Sequence, residues 1–381
     1  MATSTNNVGC ALAWHGVSVN QDGTLDPCCQ YTNTELFQRI PFVEFDQFDK
    51  TVRQRMRDDY AAGIQHSGCQ KCYQEEQAGW TTLRQYANRW YDQVDQQQLW
   101  HVELRLGNYC NLKCIMCSPG SSSSISVERQ QHKELFKTVN IYPYTPEMPH
   151  YWETVEFQQF SAEFLSQLKR INITGGEPFM IPEVLTVLDR LMPVRDTVNV
   201  SFNTNLTILT EKILSRLEQF NNLEVSVSLE GIGEMNDYLR YPSKWEQIQE
   251  HIATIQTRIP NAHVSVNHTF QHASVYSLPA LSEFCKKNKI SLHLTLVQGN
   301  EYLGLNSVPK QDLTKLSNWV TTTTTLDHAQ KQFIKNIIES AVFNLNLYVQ
   351  YRDYVSVLDT IRKTDYNQVF SPTYEQFKLF D

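Results

Sequence analysis

The sequence has little positive charge and no long apolar segment. Its 381 residues carry 33 Lys and Arg against 41 Asp and Glu, a formal net charge of −8. Because phosphate groups are neutralised by clustered Lys and Arg, this balance argues against a broad nucleic-acid-binding surface. No apolar run approaches the length that spans a bilayer, and Met1–Gly9 lacks the basic start and apolar core of an export signal. We therefore expect a cytoplasmic protein with neither a membrane nor a nucleic acid as partner.

Cysteine is nearly absent from the later part of the chain. Eight of the nine cysteines precede residue 118, and only Cys285 follows. Grouped cysteines without an export signal are typical of reduced thiols that bind metal, rather than of the disulfides of secreted proteins. Cys285 stands alone in a predicted helix, where a buried apolar role is expected.

Three cysteines stand close together in the stretch 110–117, Cys-Asn-Leu-Lys-Cys-Ile-Met-Cys. Cys110, Cys114 and Cys117 can supply three ligands to one inorganic cluster, whereas structural zinc sites and most four-thiolate clusters are closed by a fourth protein ligand. The open position could bind a small molecule through an amine and a carboxylate. A zinc knuckle or three unrelated thiols are the alternative interpretations.

From His101 onward, short apolar strands alternate with helices, as a parallel barrel or open parallel sheet requires. The cysteine stretch follows the first of these strands, and ligands bind at the carboxyl ends of strands in parallel α/β folds. The six predicted strands span residues 101–106, 170–174, 198–203, 223–229, 263–270 and 291–297.

Small and polar residues follow several other strand ends. Two glycines let a backbone approach a ligand closely, a carboxylate accepts hydrogen bonds from an ammonium group, and an arginine fork can bind both oxygens of a carboxylate. These candidate ligand-binding residues are Gly175, Gly176 and Glu177 after the second strand, Asn205 after the third, Ser228 at the end of the fourth, and Arg240 twelve residues further on.

The N-terminal cysteines form a second candidate metal site. Asp22-Gly23 between short alternating runs predicts a hairpin. Thiolates at such spacings suit a four-ligand site, and zinc is one metal that takes four thiolates. The candidate ligands are Cys10 before the hairpin, Cys28 or Cys29 after it, and Cys69 and Cys72 on a loop that opens the next predicted helix, Tyr73 to Tyr91.

The stretch 110–117 resembles the hallmark C-x3-C-x2-C motif of the radical S-adenosylmethionine (SAM) superfamily. The resemblance implies an α/β fold with a partial (β/α)6 barrel, a 4Fe–4S cluster on the three cysteines, and SAM on the remaining iron. Met116 stands where the family usually has an aromatic residue, and Glu230 where it usually has Asp. The same resemblance implies that Gly175, Gly176 and Glu177 hold the methionyl amine of SAM and that Asn205 lies near the substrate or the sulfonium. It also implies that Ser228 contacts the ribose or carboxylate and that Arg240 contacts the carboxylate.

The N-terminal cysteines resemble the twitch and SPASM auxiliary-cluster domains, through the runs Gly23–Cys28 and Gly68–Cys72. Those domains usually follow the barrel, whereas this segment precedes it. The resemblance implies an auxiliary 4Fe–4S cluster on Cys10, Cys28, Cys69 and Cys72, with Cys28 at the position that the pattern gives to its cysteine; zinc is the alternative. The predicted division is an auxiliary domain over 1–95, the barrel over 96–308 and a helical C-terminal extension over 309–381.

The function implied by the resemblance is reductive cleavage of SAM, giving a 5′-deoxyadenosyl radical that abstracts hydrogen from a substrate. A flavodoxin or ferredoxin would supply the electron. We predict a peptide or protein substrate, with a small-molecule radical dehydrogenase or biosynthetic enzyme as the alternative, and a non-enzymatic zinc or iron–sulfur module as a third hypothesis. The sequence assigns no catalytic acid or base.

Overall fold

The computed structural model describes residues 8–32, 41, 44–77, 81–91, 98–145 and 151–370. The six strands predicted after residue 100 are confirmed, with ends within one residue of the prediction, because each is a short alternating apolar run. The strands are β1 Gly16–Val19, β2 Leu25–Asp26, β3 His101–Leu106, β4 Arg170–Gly175, β5 Asn199–Thr204, β6 Asn222–Ser228, β7 His263–Phe270 and β8 Ser291–Leu296.

The α-helices of the described residues are α1 Leu12–His15, α2 Phe45–Phe48, α3 Gln54–Ala61, α4 Gln70–Gln77, α5 Leu83–Trp90, α6 Ser123–Gln131, α7 Lys133–Lys137, α8 Val155–Phe164, α9 Glu183–Leu191, α10 Glu211–Leu217, α11 Gly233–Leu239, α12 Trp245–Arg258, α13 Ser274–Lys287, α14 Lys310–Thr322, α15 His328–Ser340 and α16 Leu345–Arg362. A π-helical turn joins α2 to α3. No helix in this part of the chain has the length and apolar character needed to cross a bilayer.

The single helix predicted over residues 73–91 is wrong, because two helices occupy this segment. Thr82 begins α5 as its N-cap, and its side chain accepts a hydrogen bond from the backbone of Gln85. The Gln85 side chain in turn accepts from the backbone N–H of Thr82, which completes a capping box. A new helix therefore starts at this point, after α4 has ended at Gln77.

The chain divides into two compact units. Unit 1 consists of residues 1–108, 147–202 and 211–223, and unit 2 of residues 109–146, 203–210 and 224–381.

Unit 1 contains a mixed sheet in the order β2-β1-β3-β4-β5, in which only β1 and β2 are antiparallel. The α/β class is therefore confirmed. The predicted hairpin at Asp22-Gly23 is also confirmed, since it joins β1 to β2 and Gly23 adopts a φ of +78°. Strand β1 pairs in parallel with β3, from Gly16 opposite His101 to Val19 opposite Leu104.

The two faces of this sheet differ in polarity. The buried apolar face carries Val102, Leu104, Ile171, Ile173, Val200 and Phe202. On the other face, Ser18, Glu103, Asn172 and Ser201 lie opposite one another on successive strands. Alternate side chains of a strand point to opposite faces, so a row of polar residues on four neighbouring strands makes one whole face polar.

Unit 2 contains the parallel strands β6, β7 and β8. Val225 and Val227 of β6 are fully buried, whereas Ser226 and Ser228, which alternate with them, are half-buried. In the predicted C-terminal extension, α14, α15 and α16 lie between residues 310 and 362, and residues 371–381 lie outside the described residues. The domain boundaries at residues 95 and 308 stay a prediction, as does closure into a partial barrel.

Candidate functional site

The cysteine loop of residues 110–117 is held by backbone hydrogen bonds from the segment that follows α11. The N–H of Lys113 donates to the carbonyl of Tyr241 at 2.6 Å, and that of Ile115 donates to the carbonyl of Leu239 at 3.0 Å. Cys114 stands between these two anchored residues. Hydrogen bonds within the protein therefore define the backbone path of the loop.

The start of the loop is anchored by the serines at the beginning of α6. Ser122 caps this helix, and its hydroxyl donates to the carbonyl of Leu112 at 2.6 Å. Ser124 donates to the carbonyl of Cys110 at 2.7 Å. Serines at a helix start therefore fix both the helix and the preceding loop.

Two of the three loop cysteines interact directly, because the thiol of Cys117 donates a hydrogen bond to Cys114. Cys110 and Cys114 are buried, and Cys117 is partly exposed. The pKa of Cys114 is lowered to about 6 by a hydrogen bond from Cys117 and by the charges of Arg240 and Arg362, against the effect of burial. That same hydrogen bond, together with burial, raises the pKa of Cys117. The thiolate is the form that binds metal, so Cys114 is prepared as a ligand.

Arg240 and Glu230 form a buried ion pair in unit 2. Nη1 of Arg240 donates to Oε1 of Glu230 at 2.9 Å. The other carboxylate oxygen accepts from the backbone N–H of Thr269 at 3.0 Å. Burial raises the pKa of Glu230 to about 8, although Arg240 opposes this shift.

One N–H donor of Arg240 makes no hydrogen bond to the described residues. Its Nε is buried and has no hydrogen-bond partner among the residues that the structure describes. The thiolate of Cys114 and the carboxylate of Glu230 raise the pKa of Arg240, although burial acts in the opposite sense. A guanidinium that is fixed beside the cysteine loop and has an unused N–H fits the carboxylate of a bound ligand. A carboxylate is also the group that the sequence predicts Arg240 to bind.

Asn205 contacts the cysteine loop directly. Its Nδ2 lies 3.7 Å from Sγ of Cys110 and donates to Oδ1 of Asn111 at 3.1 Å. Its Oδ1 accepts from the backbone N–H of Thr207 at 2.9 Å. The structure therefore joins Asn205 to the cysteines. Ser228 ends β6, half-buried, opposite Asn267 of β7.

The Gly175–Glu177 turn closes β4 in unit 1. Gly175 adopts a φ of +146°, and a Cβ at this position would lie 2.7 Å from the carbonyl oxygen of Leu106. Only glycine fits such a close approach of two strand ends. Gly176 donates to the carbonyl of Gly107 at 3.0 Å, and the fully buried Glu177 accepts from the N–H of Phe179 at 3.1 Å.

The four N-terminal cysteines preferred by the sequence pattern line one cavity in unit 1. Burial raises the pKa of Cys10 to about 12 and that of Cys69 to about 11, and the hydroxyl of Tyr60 lies 3.2 Å from Sγ of Cys69. Among the described residues, no three or more His, Cys, Asp or Glu side chains are grouped so as to hold a single metal ion. The lining includes Cys10, Cys28, Cys69 and Cys72, with Leu12, Tyr31, Met56, Leu83 and Arg84.

Cys29 is not part of this lining. Its backbone N–H donates to Oε2 of Glu103 at 2.6 Å, and its carbonyl accepts from Arg105 at 3.3 Å. The two adjacent cysteines therefore have different surroundings, and Cys28 is the one in the cavity. Glu103 is itself buried, which raises its pKa.

Sequence reasoning missed the residues of α16 that contact the cysteine loop. Tyr354 donates to the carbonyl of Ile115 at 3.1 Å, and Arg362 donates to that of Lys113 at 2.7 Å. Arg362 also binds the buried Glu128 at 2.8 Å. No local sequence pattern marked Arg362, because its partner Glu128 lies 234 residues away in the sequence.

Comparison with known proteins gives a family model and distant relatives. Residues 104–272 match the model of the radical SAM superfamily. A stretch of 132 residues is 23% identical to a protein of Listeria welshimeri described as GTP 3′,8-cyclase and covers 35% of this chain and 34% of that protein. The same values apply to a protein of that description from Listeria monocytogenes. The match spans about a third of the length of these curated relatives.

Two solved structures resemble parts of this chain at low sequence identity. Native anSMEcpe with bound AdoMet has a TM-score of 0.41 and 15% identity, over 58% of this chain and 60% of that one. SuiB of Streptococcus suis bound to precursor peptide SuiA has a TM-score of 0.41 and 14% identity, over 88% and 73%. The family match covers residues 104–272, which is less than half of this chain.

Proposed function

We propose that the protein reductively cleaves SAM at a 4Fe–4S cluster held by Cys110, Cys114 and Cys117, and that the resulting radical abstracts hydrogen from a substrate. The observation that carries the proposal is the anchored loop of three thiols beside Arg240, whose buried Nε is unused among the described residues. When bound, the cluster supplies one low-potential electron. The family implies the same cluster and SAM.

Different residues of the protein would hold the cluster and orient SAM. Hydrogen bonds to the loop keep the thiol ligands in place. Arg240 donates to the carboxylate of SAM, and Glu230 holds the guanidinium in its position. Ser228 contacts the ribose or carboxylate. The Gly175–Glu177 turn holds the methionyl amine, for which the glycine backbone gives room and Glu177 gives an acceptor.

The test is anaerobic incubation of the reconstituted protein with SAM and dithionite. We expect 5′-deoxyadenosine and methionine, detected by mass spectrometry, in amounts exceeding one per chain. The non-enzymatic hypotheses, a zinc module or an electron carrier, give neither product. A protein that carries a reducible cluster on residues 110–117 and leaves SAM intact would contradict the proposal.

We further propose that Cys10, Cys28, Cys69 and Cys72 hold an auxiliary 4Fe–4S cluster. Support comes from the four thiols around one cavity and from the twitch-like and SPASM-like spacing. Thiolates also suit zinc, which is the second candidate for this site. Such a cluster could accept the electron left on a substrate radical or bind the substrate.

Removing two of these cysteines will lower the iron content of the reconstituted protein. We expect Cys69→Ala/Cys72→Ala to lose about four irons per chain, the content of one such cluster. Cys28→Ala should also lose iron, whereas its neighbour variant Cys29→Ala should keep the wild-type content, because the thiol of Cys29 interacts with Glu103 and is not part of the cavity lining. Elemental analysis checks this. Zinc in place of iron, or loss of iron in Cys29→Ala, would refute the assignment.

The substrate we propose is a peptide or protein, because the acidic chain offers no broad surface for nucleic acid. A small molecule is the second candidate, and the sequence match to proteins described as GTP 3′,8-cyclase favours it.

We also propose that the strands after residue 100 belong to a partial (β/α)6 barrel. A flavodoxin or ferredoxin is the proposed electron donor.

A further inference from the structure

Helix α16 contacts the cysteine loop at two points. The hydroxyl of Tyr354 donates to the carbonyl of Ile115 at 3.1 Å, and Nη2 of Arg362 donates to the carbonyl of Lys113 at 2.7 Å. Residues eight positions apart lie two turns along the same face of a helix. One face of the C-terminal helix therefore binds the carbonyl groups on both sides of Cys114.

These contacts complete the anchoring of the loop. The N–H groups of Lys113 and Ile115 are held by the carbonyls of the 239–241 segment, and their carbonyl groups by α16. Both polar groups of each residue are thus used, as buried backbone requires. The backbone on each side of Cys114 is fixed by two elements that are distant in the sequence.

The contact at Arg362 also places charge beside the cysteines. Glu128 is buried and accepts from Nε of Arg362 at 3.2 Å and from its Nη2 at 2.8 Å. Nζ of Lys113 lies 3.3 Å from the same carboxylate. The cations of Arg362 and Lys113 therefore share the carboxylate of Glu128, and these three side chains together carry one net positive charge. Charge in a buried region acts more strongly than in water.

We infer that α16 is a positioning element for the iron–sulfur cluster, in which Tyr354 and Arg362 hold the loop around Cys114 and the charge of Arg362 raises the reduction potential. The inference rests on the proposed function of the loop. Reduction adds an electron to the cluster, so a nearby cation stabilises the reduced form and a nearby anion destabilises it.

Charge substitutions will shift the potential in opposite directions. In Arg362→Gln we expect the ratio of reduced to oxidised cluster at a fixed potential to fall at least tenfold, which corresponds to about 59 mV for one electron. Glu128→Gln should raise this ratio. Arg362→Lys keeps the charge and should stay within about threefold of wild type. The measurement is a redox titration of the full protein followed by electron paramagnetic resonance, with the cluster of the loop identified by the change in its signal on adding SAM.

Tyr354→Phe separates anchoring from charge. It removes one hydrogen bond and no charge, so the potential should stay at the wild-type value while an iron chelator removes the cluster at least threefold faster. If Arg362→Gln does not fold, Glu128→Gln and Tyr354→Phe still test the inference. Potentials that do not move, or that move in the same direction in the two charge variants, would overturn the inference. A wild-type protein without a cluster on this loop would instead overturn the proposed function.

Discussion

Replacing Cys114 by alanine will abolish the formation of 5′-deoxyadenosine from SAM. Cys114 is the middle one of the three proposed ligands, the pKa of its thiol is lowered, and its backbone is fixed on both sides. Two remaining thiols do not provide the three ligands that the proposed cluster needs. The product should fall below detection in an anaerobic assay with dithionite, and the iron content should fall by about four per chain.

Cys285→Ala is the matched control for this loss. Cys285 lies on α13, is buried, and has its pKa raised to about 12 by burial alone. Its replacement removes one buried sulfur and should destabilise the protein by about 1 kcal/mol. Formation of 5′-deoxyadenosine should stay near the wild-type rate. Wild-type activity in Cys114→Ala would show that the loop is not the site of SAM cleavage.

Arg240→Met will destabilise the folded protein, and more strongly at high pH. The substitution leaves Glu230 buried without its cation, and breaking a buried pair in this way costs about 3–5 kcal/mol. With Arg240 present, burial already raises the pKa of Glu230 to about 8, and without it the pKa should be higher. A carboxyl whose pKa is raised by folding contributes stability at low pH that is lost as the pH rises through the folded-state value. The measurement is urea unfolding of the metal-free protein at about pH 6 and about pH 9.

The double variant Arg240→Met/Glu230→Gln shows whether the pair is the cause. It removes both charges, so we expect a smaller loss than the sum of the two single variants, and little dependence on pH between the two conditions. Equal destabilisation of Arg240→Met at both pH values would mean that the charge of Glu230 is not responsible. Additive effects in the double variant would lead to the same conclusion.

Most strands could be predicted from the sequence because their pattern is local. His101–Leu106 alternates polar and apolar residues, and its ends are those of β3. The same alternation puts Glu103 on the polar face of the sheet, but its contact with Cys29 has no local sequence signal. The break between α4 and α5 was missed even though Thr82 and Gln85 have the spacing of a capping box.

The candidate site was predictable only where its residues form motifs. The spacing of Cys110, Cys114 and Cys117 identified the loop, and the sequence also singled out Arg240 as a residue for a carboxylate. The ion pair of Arg362 with Glu128 has no local signal, because hydrogen bonds between residues 234 positions apart depend on the packing of the whole unit. The choice between Cys28 and Cys29 likewise depended on which of two adjacent side chains faces the cavity.

The parallel pairing of β1 with β3 limits how the chain can be shortened. Gly16–Val19 occupies the hydrogen-bonding side of β3 that lies away from β4. A fragment starting after the cysteine-rich segment would leave the N–H and C=O groups on that side of β3 open, a ready template for strand addition and aggregation. The N-terminal segment thus covers an edge of β3 that would otherwise be open, in addition to supplying the cysteines of the proposed second metal site.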